Sequence, residues 1–72
     1  MTSETPTTIY YGPRGTIITE IGEHAAIYEG KYLVYPYGDA QWDAVGCNNK
    51  KDLKVILDEM RAFWPAANIT HI

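Results

Sequence analysis

The sequence holds few side chains that could catalyse a reaction or bind a metal ion, and they are scattered along the chain. Histidine occurs only at His24 and His71, and Cys47 is the single cysteine. These three residues lie at no metal-ligand spacing from one another, and paired motifs such as HxH or HExxH are absent. Glu20 and Glu23 lie close to His24 in sequence, but acidic groups at a strand end are usually solvated. We therefore expect no metal site, no cofactor and no catalytic residue.

A group of three lysines is a better candidate for binding. Lys50, Lys51 and Lys54 lie in the first turns of a predicted helix, where the helix dipole would favour acidic residues. Residues that break a local rule without compensation are candidates for function. A solvated helix face, with Asp52 and Asp58 as partial partners, explains these lysines without a ligand. The alternative is a basic patch that binds an anion or an acidic partner.

A second candidate is an aromatic face on a predicted hairpin. The chain contains six tyrosines and two tryptophans in 72 residues, and such side chains suit a small core as well as an interface. The predicted face and its expected neighbours comprise Tyr28, Lys31, Leu33, Tyr35, Tyr37 and Arg14. One helix covers only one face of a sheet, so apolar residues on both faces require a second covering surface. Packing in the protein's own core is the competing explanation.

The helix that positions the lysines has the clearest structural signal in the chain. Apolar residues recur with helical spacing at Leu53, Ile56, Leu57, Met60, Phe63 and Trp64. Asn49 is a suitable N-cap, and Pro65 cannot continue a helix, so the helix should end at about residue 63 or 64. We expect the apolar stripe to pack on a sheet.

The chain before this helix predicts short strands. The first two, at residues 7–11 and 16–21, flank a turn at residues 12–15, and the second is rich in β-branched residues. Residues 25–28 and 31–35 predict a hairpin around Glu29-Gly30. A turn at residues 36–39 then leads to a strand at residues 41–45, with Trp42 and Ala44 pointing inward.

The predicted hairpin assigns its residues to two faces. With a two-residue loop, one face carries Ala25, Ile27, Tyr32 and Val34. We expect this set to pack against the helix, because Lys31 on the other face should stay in water. The other face carries Ala26, Tyr28, Lys31, Leu33 and Tyr35.

The order of elements predicts one α+β domain at residues 7–72 after a disordered tail at residues 1–6. In this domain, an antiparallel β-meander of three to five short strands packs against one C-terminal α-helix as a two-layer sandwich. Residues 66–72 either add an edge strand through Ile69 or form a loose tail. No internal repeat or second domain is visible.

An aromatic-rich hairpin, the segment WDAVG at 42–46 and a capped helix beginning KKDL at 50–53 together resemble many small orphan proteins of bacteriophages and prophages. The resemblance is one of pattern and covers about residues 28–64. It implies an accessory protein that binds and inhibits a host component, with anti-CRISPR and other anti-defence proteins among the examples. It implies no catalytic motif.

The composition limits which cellular compartment and which partners fit this chain. The net charge of −3 gives no global electrostatic footprint for nucleic acid. No apolar run approaches the length of a membrane span, and the polar start of the chain does not resemble a signal peptide. A single cysteine suits a reducing compartment. We therefore expect a cytoplasmic protein with no membrane contact.

The leading hypothesis is a non-catalytic small binding protein, namely a phage-encoded inhibitor of a host defence protein that acts through the aromatic sheet face. The alternatives are a small nucleic-acid-binding protein and a sponge that sequesters a small nucleotide at an oligomer interface. A short chain without a disulfide and with an uncovered apolar face also predicts a homodimer. Pairing of two copies through an edge strand at residues 16–21 is a second route to that dimer.

Overall fold

The structure is a computed structural model, and it describes residues 5–38 and 42–72. In chain order its elements are β1 (Thr8–Pro13), α1 (Arg14–Glu20), the 3₁₀ helix η1 (Glu23–Ile27), β2 (Tyr32–Tyr37), β3 (Val45–Cys47), α2 (Lys50–Phe63) and β4 (Asn68–His71). Part of three predictions lies outside the described residues: residues 1–4 of the tail, residue 39 of a turn and residue 41 of a strand.

The four strands form one mixed sheet in the order β3-β2-β1-β4. β2 pairs antiparallel with both β1 and β3, whereas β4 lies parallel to β1. Helix α2 therefore connects the two opposite edges of the sheet. The predicted α+β class is confirmed, and of the two alternatives left open for residues 66–72 the structure has the edge strand through Ile69. The pure meander and the single helix are wrong, because the sheet is mixed and the described residues form two α-helices.

Helix α2 covers one face of the sheet, as its apolar stripe predicted. The side chain of Asn49 accepts a hydrogen bond from the backbone N–H of Asp52 at 2.8 Å, which is the predicted N-cap. Leu53 and Met60 are buried against Ile9 and Val34 of the sheet. Further packing comes from partly buried residues, which include Ile56, Leu57, Trp64 and Ile69. We call this set the first core.

One member of the predicted stripe does not join the first core. Phe63 is 76% exposed, because at about 100° per residue it lies roughly 80° away from the direction of Leu53 around the helix axis. Trp64 lies closer to the centre of the stripe and packs against the first core. Its ring also meets that of Trp42 edge to face, with 5.1 Å between the ring centroids.

The other face of the sheet is covered by α1 and η1, which sequence reasoning assigned to strands. Ile17 of α1 and Ala25 of η1 are fully buried against Leu33 and Tyr35, and Ala44 completes this second core. A strand at residues 16–21 would have placed alternate residues on opposite sides, whereas one helical turn directs Ile17, Ile18 and Ile21 towards the same core. Tertiary burial therefore overrides the β-propensity of this segment.

The predicted hairpin is also wrong, because its first strand is replaced by a helical segment. Its assignment of faces is nevertheless correct for the second strand. Val34 packs in the first core and Leu33 in the second, as alternation predicted. Residues 23–27 are helical, so Ala25 enters the second core and Ile27 is exposed. Gly30 does adopt a positive φ of 127°, but it links η1 to β2 rather than two strands.

Three local predictions also need correction. The turn at residues 12–15 is absent, because β1 continues to Pro13 and α1 begins at Arg14. Pro36 lies within β2, where it is tolerated because β3 ends opposite Val34 and leaves that side of β2 free of a neighbouring strand. Residues 42–44 are not a strand: Trp42 packs on Trp64, which follows α2, while Ala44 enters the second core.

The chain itself supplies the second covering surface. The homodimer was predicted because one face of the sheet was expected to be uncovered, and that reason no longer holds. The second route to a dimer is also absent, because residues 16–21 do not form a strand edge that could pair. None of the helices in the described ranges has the length and apolarity needed to cross a membrane.

Candidate functional site

A cavity of about 250 Å³ opens between the first half of α2 and one end of the sheet. Helix α2 lies closest to β2 and β3, and Ile9 of β1 and Ile69 of β4 also pack in the core beneath it. The cavity lies where the helix leaves the ends of β1 and β4 uncovered. It brings part of the predicted basic patch together with aromatic residues that are far apart in sequence.

One wall of the cavity belongs to α2. Lys50, Leu53, Lys54 and Leu57 line it at positions i, i+3, i+4 and i+7, which is one face of the helix. The N-cap fixes where this face begins, because Asn49 both caps the helix and donates a side-chain hydrogen bond to the Asp52 carboxylate at 3.1 Å. The wall therefore combines two leucines with two ammonium groups one helical turn apart.

The opposite wall belongs to the sheet and is aromatic. Tyr11 of β1, Tyr32 of β2 and His71 of β4 line the cavity. Tyr11 and His71 are direct neighbours in the β1–β4 register. Their rings stack with centroids 4.8 Å apart and an angle of 29° between the planes. Tyr11 is half-buried, whereas His71 is exposed.

Gly12 allows the two strands to close at this end. The backbone N–H of Ile72 donates to the carbonyl oxygen of Tyr11 at 2.9 Å. A Cβ on Gly12 would lie only 2.5 Å from the carbonyl oxygen of Ile72, and Gly12 has a φ of 159°. Any larger residue here would push the end of β4 away from β1, so Gly12 helps to hold His71 beside Tyr11.

The electrostatic character of the cavity differs from that of the whole chain. The chain carries a net charge of −3, but within the described residues the cavity lining contains two lysines and no carboxylate. Asp52 lines a separate open groove together with Cys47 and Val55. The cavity is therefore suited to an anion, and its apolar and aromatic walls favour a ligand with a carbon skeleton.

The structure divides the predicted basic patch. All three side chains are exposed, but Lys50 and Lys54 line the cavity and Lys51 does not. The three residues are close in sequence, and the helix directs Lys51 to another side. Binding by these lysines stays a prediction. It now concerns Lys50 and Lys54 rather than Lys51.

The predicted aromatic face does not form a continuous surface. Leu33 and Tyr35 are buried in the second core under α1 and η1, so neither is accessible to a partner. Tyr28 is half-buried, and its hydroxyl donates to the Asp43 carboxylate at 3.2 Å. Tyr37 is 52% exposed.

The two predicted basic neighbours of that face have different surroundings. Lys31 is exposed. The guanidinium of Arg14 donates from Nε to the carbonyl oxygen of Tyr28 and from Nη2 to that of Ala26, both at 2.7 Å. Arg14 also donates its backbone N–H to the carbonyl oxygen of Lys31 at 2.9 Å. It therefore ties the start of α1 to the end of η1 and to the segment that leads into β2.

The residues that could support catalysis are separated in the fold. Burial raises the pKa of the Cys47 thiol, and the nearby Asp52 carboxylate raises this pKa further, so the reactive thiolate is disfavoured. The ring of His24 is hydrogen-bonded through Nε2 to the buried Tyr35 hydroxyl. Among the described residues, no three His, Cys, Asp or Glu side chains are close enough to hold a metal ion.

Sequence reasoning missed the aromatic wall. Alternation along the predicted second hairpin strand did place Tyr32 on the helix side of the sheet. Nothing in the sequence indicated that β4 would lie parallel to β1, and only that pairing brings His71 beside Tyr11. A pairing between residues 60 positions apart leaves no local signal.

Comparison with known proteins yields no relative for this chain. No family model matches it, no curated protein matches it, and no solved structure matches it. What the cavity binds must therefore follow from its own side chains.

Proposed function

We propose that this chain is a small non-catalytic binding protein, and that the cavity between α2 and the ends of β1 and β4 binds a small anionic molecule. The observation that carries the proposal is the pairing of Lys50 and Lys54 in a cavity whose lining, among the residues that the structure describes, contains no carboxylate. Of the classes expected from the sequence, sequestration of a small nucleotide is the closest to this geometry. Here the site lies within one chain rather than at an oligomer interface.

The surroundings of the two ammonium groups support an anion as the ligand. Lys50 and Lys54 alternate with Leu53 and Leu57 on the helix wall, so an anion bound in the cavity would lie beside apolar side chains that exclude water on that side. Charge-assisted hydrogen bonds are strengthened in such surroundings.

A binding role is favoured over an enzymatic one by the chemistry of the cavity wall. His71 stacks on Tyr11, and within residues 5–38 and 42–72 no carboxylate or thiol joins it in the lining. A histidine that acts as a general acid or base is commonly oriented by such a group within hydrogen-bond reach. The walls provide cations and contact surface, which are the requirements for holding a ligand.

Calorimetric titration with AMP and with inorganic phosphate tests the anion site. Replacing both Lys50 and Lys54 by Gln should weaken AMP binding about ten- to a hundredfold, because each lost charge-assisted contact costs about 1.5–3 kcal/mol before solvent screening. The matched control is Lys51→Gln, which removes the same charge from the same end of α2 but not from the cavity. It should leave the affinity nearly unchanged.

Two results would contradict the anion site. One is undetectable binding of AMP at millimolar concentration by the unaltered protein. The other is an equal effect of the Lys51→Gln control and the double substitution, because a general loss of positive charge would then explain the change.

A single-stranded nucleic acid is the second candidate ligand. All three lysines are exposed at one end of α2, beside a cavity that contains Tyr11, Tyr32 and His71. A strand bound there would run beyond the cavity and would also contact Lys51. Its affinity should fall steeply with salt concentration, and Lys51→Gln should weaken it as much as Lys50→Gln.

The hypothesis of a phage-encoded inhibitor that binds a host protein stays a prediction from composition and resemblance. The open aromatic face on which it depended is covered by α1 and η1. Its remaining accessible residues are Tyr37, Lys31 and the half-buried Tyr28. A pull-down from bacterial lysate, with a Tyr37→Ser variant as control, tests that surface separately from the cavity.

A further inference from the structure

We infer that the ligand of the cavity carries a planar aromatic ring next to its anionic group, and that the stacked pair of Tyr11 and His71 is the surface on which this ring lies. The inference rests on the proposed anion-binding function and names the ligand class for the same site. A nucleoside monophosphate and an aryl phosphate share the required chemistry.

The two rings form a ready platform. Tyr11 is fixed in the first core, and the ring of His71 stacks on it at 4.8 Å between centroids. His71 is exposed, so the pair presents aromatic surface to the cavity rather than burying it in the core. An exposed ring held against a half-buried one has already lost much of its freedom, so it can stack on a ligand at a low entropic cost.

The wall across the cavity complements a flat apolar body. Leu53 and Leu57 line the helix side, and Tyr32 lines the sheet side beside the stacked pair. A planar ring would lie between aliphatic and aromatic surfaces, as bases do in many nucleotide sites. Lys50 and Lys54 lie on the same wall as the leucines and would contact an anionic group attached to that ring.

The size of the cavity limits the ligand. Its volume of about 250 Å³ is below the roughly 300–1,000 Å³ that is usual for small-molecule sites. One ring with one anionic substituent therefore suits it better than a dinucleotide. This argument also favours a free small molecule over a segment of a nucleic acid strand.

Calorimetry with four probes separates the ring from the charge. AMP and phenyl phosphate carry both features, ribose phosphate carries the anion alone, and adenosine carries the ring alone. We expect AMP and phenyl phosphate to bind about tenfold more tightly than ribose phosphate, since both carry a ring that can stack on the platform. Adenosine should also bind more weakly than AMP.

The outcomes distinguish this inference from the proposed function. Ribose phosphate that binds as tightly as AMP would overturn the aromatic platform and leave the anion site standing. Adenosine that binds as tightly as AMP would overturn the anion site. A failure of AMP, phenyl phosphate and ribose phosphate to bind would overturn both.

Substitutions at His71 test the platform itself. His71→Phe keeps a ring and should retain the preference for AMP over ribose phosphate. His71→Gln removes the ring and should reduce that preference about tenfold, with little effect on ribose phosphate. Because His71 is exposed in an edge strand, neither change should prevent folding, which circular dichroism will check.

Proton NMR gives a second readout that does not depend on affinity differences between variants. The chain has two histidines, and His24 packs against Tyr35 on the opposite side of the sheet. A ring that stacks on His71 should shift the imidazole signals of His71 upfield and leave those of His24 in place; His71→Gln assigns the two sets. An AMP-saturated protein with unshifted His71 signals would overturn the platform.

Discussion

The two faces of the sheet are covered in different ways. The first core lies under α2, a 14-residue helix with a side-chain N-cap. The second core lies under α1, which has seven residues and no side-chain cap, and under a five-residue 3₁₀ helix. Both cores nevertheless contain fully buried residues, namely Ile9 and Val34 in the first and Ile17, Ala25 and Leu33 in the second.

The difference shows how each cover is stabilised. Helix α2 combines a cap, a long apolar stripe and a proline stop, so its local signals and its packing agree. Helices α1 and η1 are too short to be stable alone. Their conformation depends on burying Ile17 and Ala25 against the sheet and on the hydrogen bonds of Arg14. The cover of the second core should therefore be the less stable of the two.

Truncation of one leucine on each side of the sheet should give the largest difference between the faces. Leu33 is fully buried in the second core, so Leu33→Ala should lower the free energy of unfolding by about 2–5 kcal/mol. Leu57 is only half-buried at the edge of the first core, and Leu57→Ala should cost about half as much. Urea denaturation followed by tryptophan fluorescence measures both values.

A loss of less than about 1 kcal/mol for Leu33→Ala would mean that α1 and η1 do not cover this face tightly. The aromatic face would then be open, as the sequence predicted. The Leu57→Ala variant also shows whether the cavity wall is needed for the fold.

The same contrast explains which elements were predictable. Residues 49–64 carry a helical period, a cap and a stop, and the structure follows them closely. Residues 16–21 carry a strong β-propensity and no competing local signal, yet they are mostly helical. Burial of Ile17 against Leu33 decides the outcome, and that contact joins parts of the chain that have no local relationship.

The candidate site was predictable only in part. The unusual charge at the start of the helix drew attention to Lys50 and Lys54, and both line the cavity. Sequence could not separate Lys51 from them without the position of the cavity. The stacking of Tyr11 on His71 follows from a parallel pairing of distant strands, which only the assembled sheet shows.

Removal of the Arg14 side chain should loosen the second core selectively. Arg14→Ala deletes two hydrogen bonds from the guanidinium to the carbonyl oxygens of Ala26 and Tyr28. Because these bonds are partly exposed, we expect a loss of about 1–3 kcal/mol in the free energy of unfolding. Arg14→Lys keeps the charge and should recover only part, since an ammonium cannot reproduce the planar two-bond geometry.

Hydrogen exchange shows where the effect of Arg14→Ala occurs. The amide of Ile21, which donates to the carbonyl oxygen of Ile17 within the α1 region, should exchange faster. Amides in the middle of α2 should change only as much as the global stability does. If amide exchange became faster by the same factor in α1 and α2, the two helices would unfold together. The covers of the two cores would then not differ in stability.

The smallest expected effect concerns Tyr35 and appears only at alkaline pH. Burial raises the pKa of the Tyr35 hydroxyl above its ordinary value of 10.0, and the charges of Tyr28 and Tyr37 raise this pKa further. The folded state therefore favours the neutral phenol, whereas the unfolded chain ionises at the ordinary value. The contribution of Tyr35 to stability is full below pH 10.0 and is lost as the pH rises through the raised pKa.

Tyr35→Phe should thus lower stability slightly at neutral pH, because the bond to His24 is lost. It should also make stability fall less steeply above pH 10.0. Tyr32→Phe on the other face is the matched control, and urea denaturation at a series of pH values measures all three proteins. If Tyr35→Phe and the unaltered protein lose stability in parallel above that pH, the hydroxyl is not buried in the folded protein, and the second core is less closed than the first.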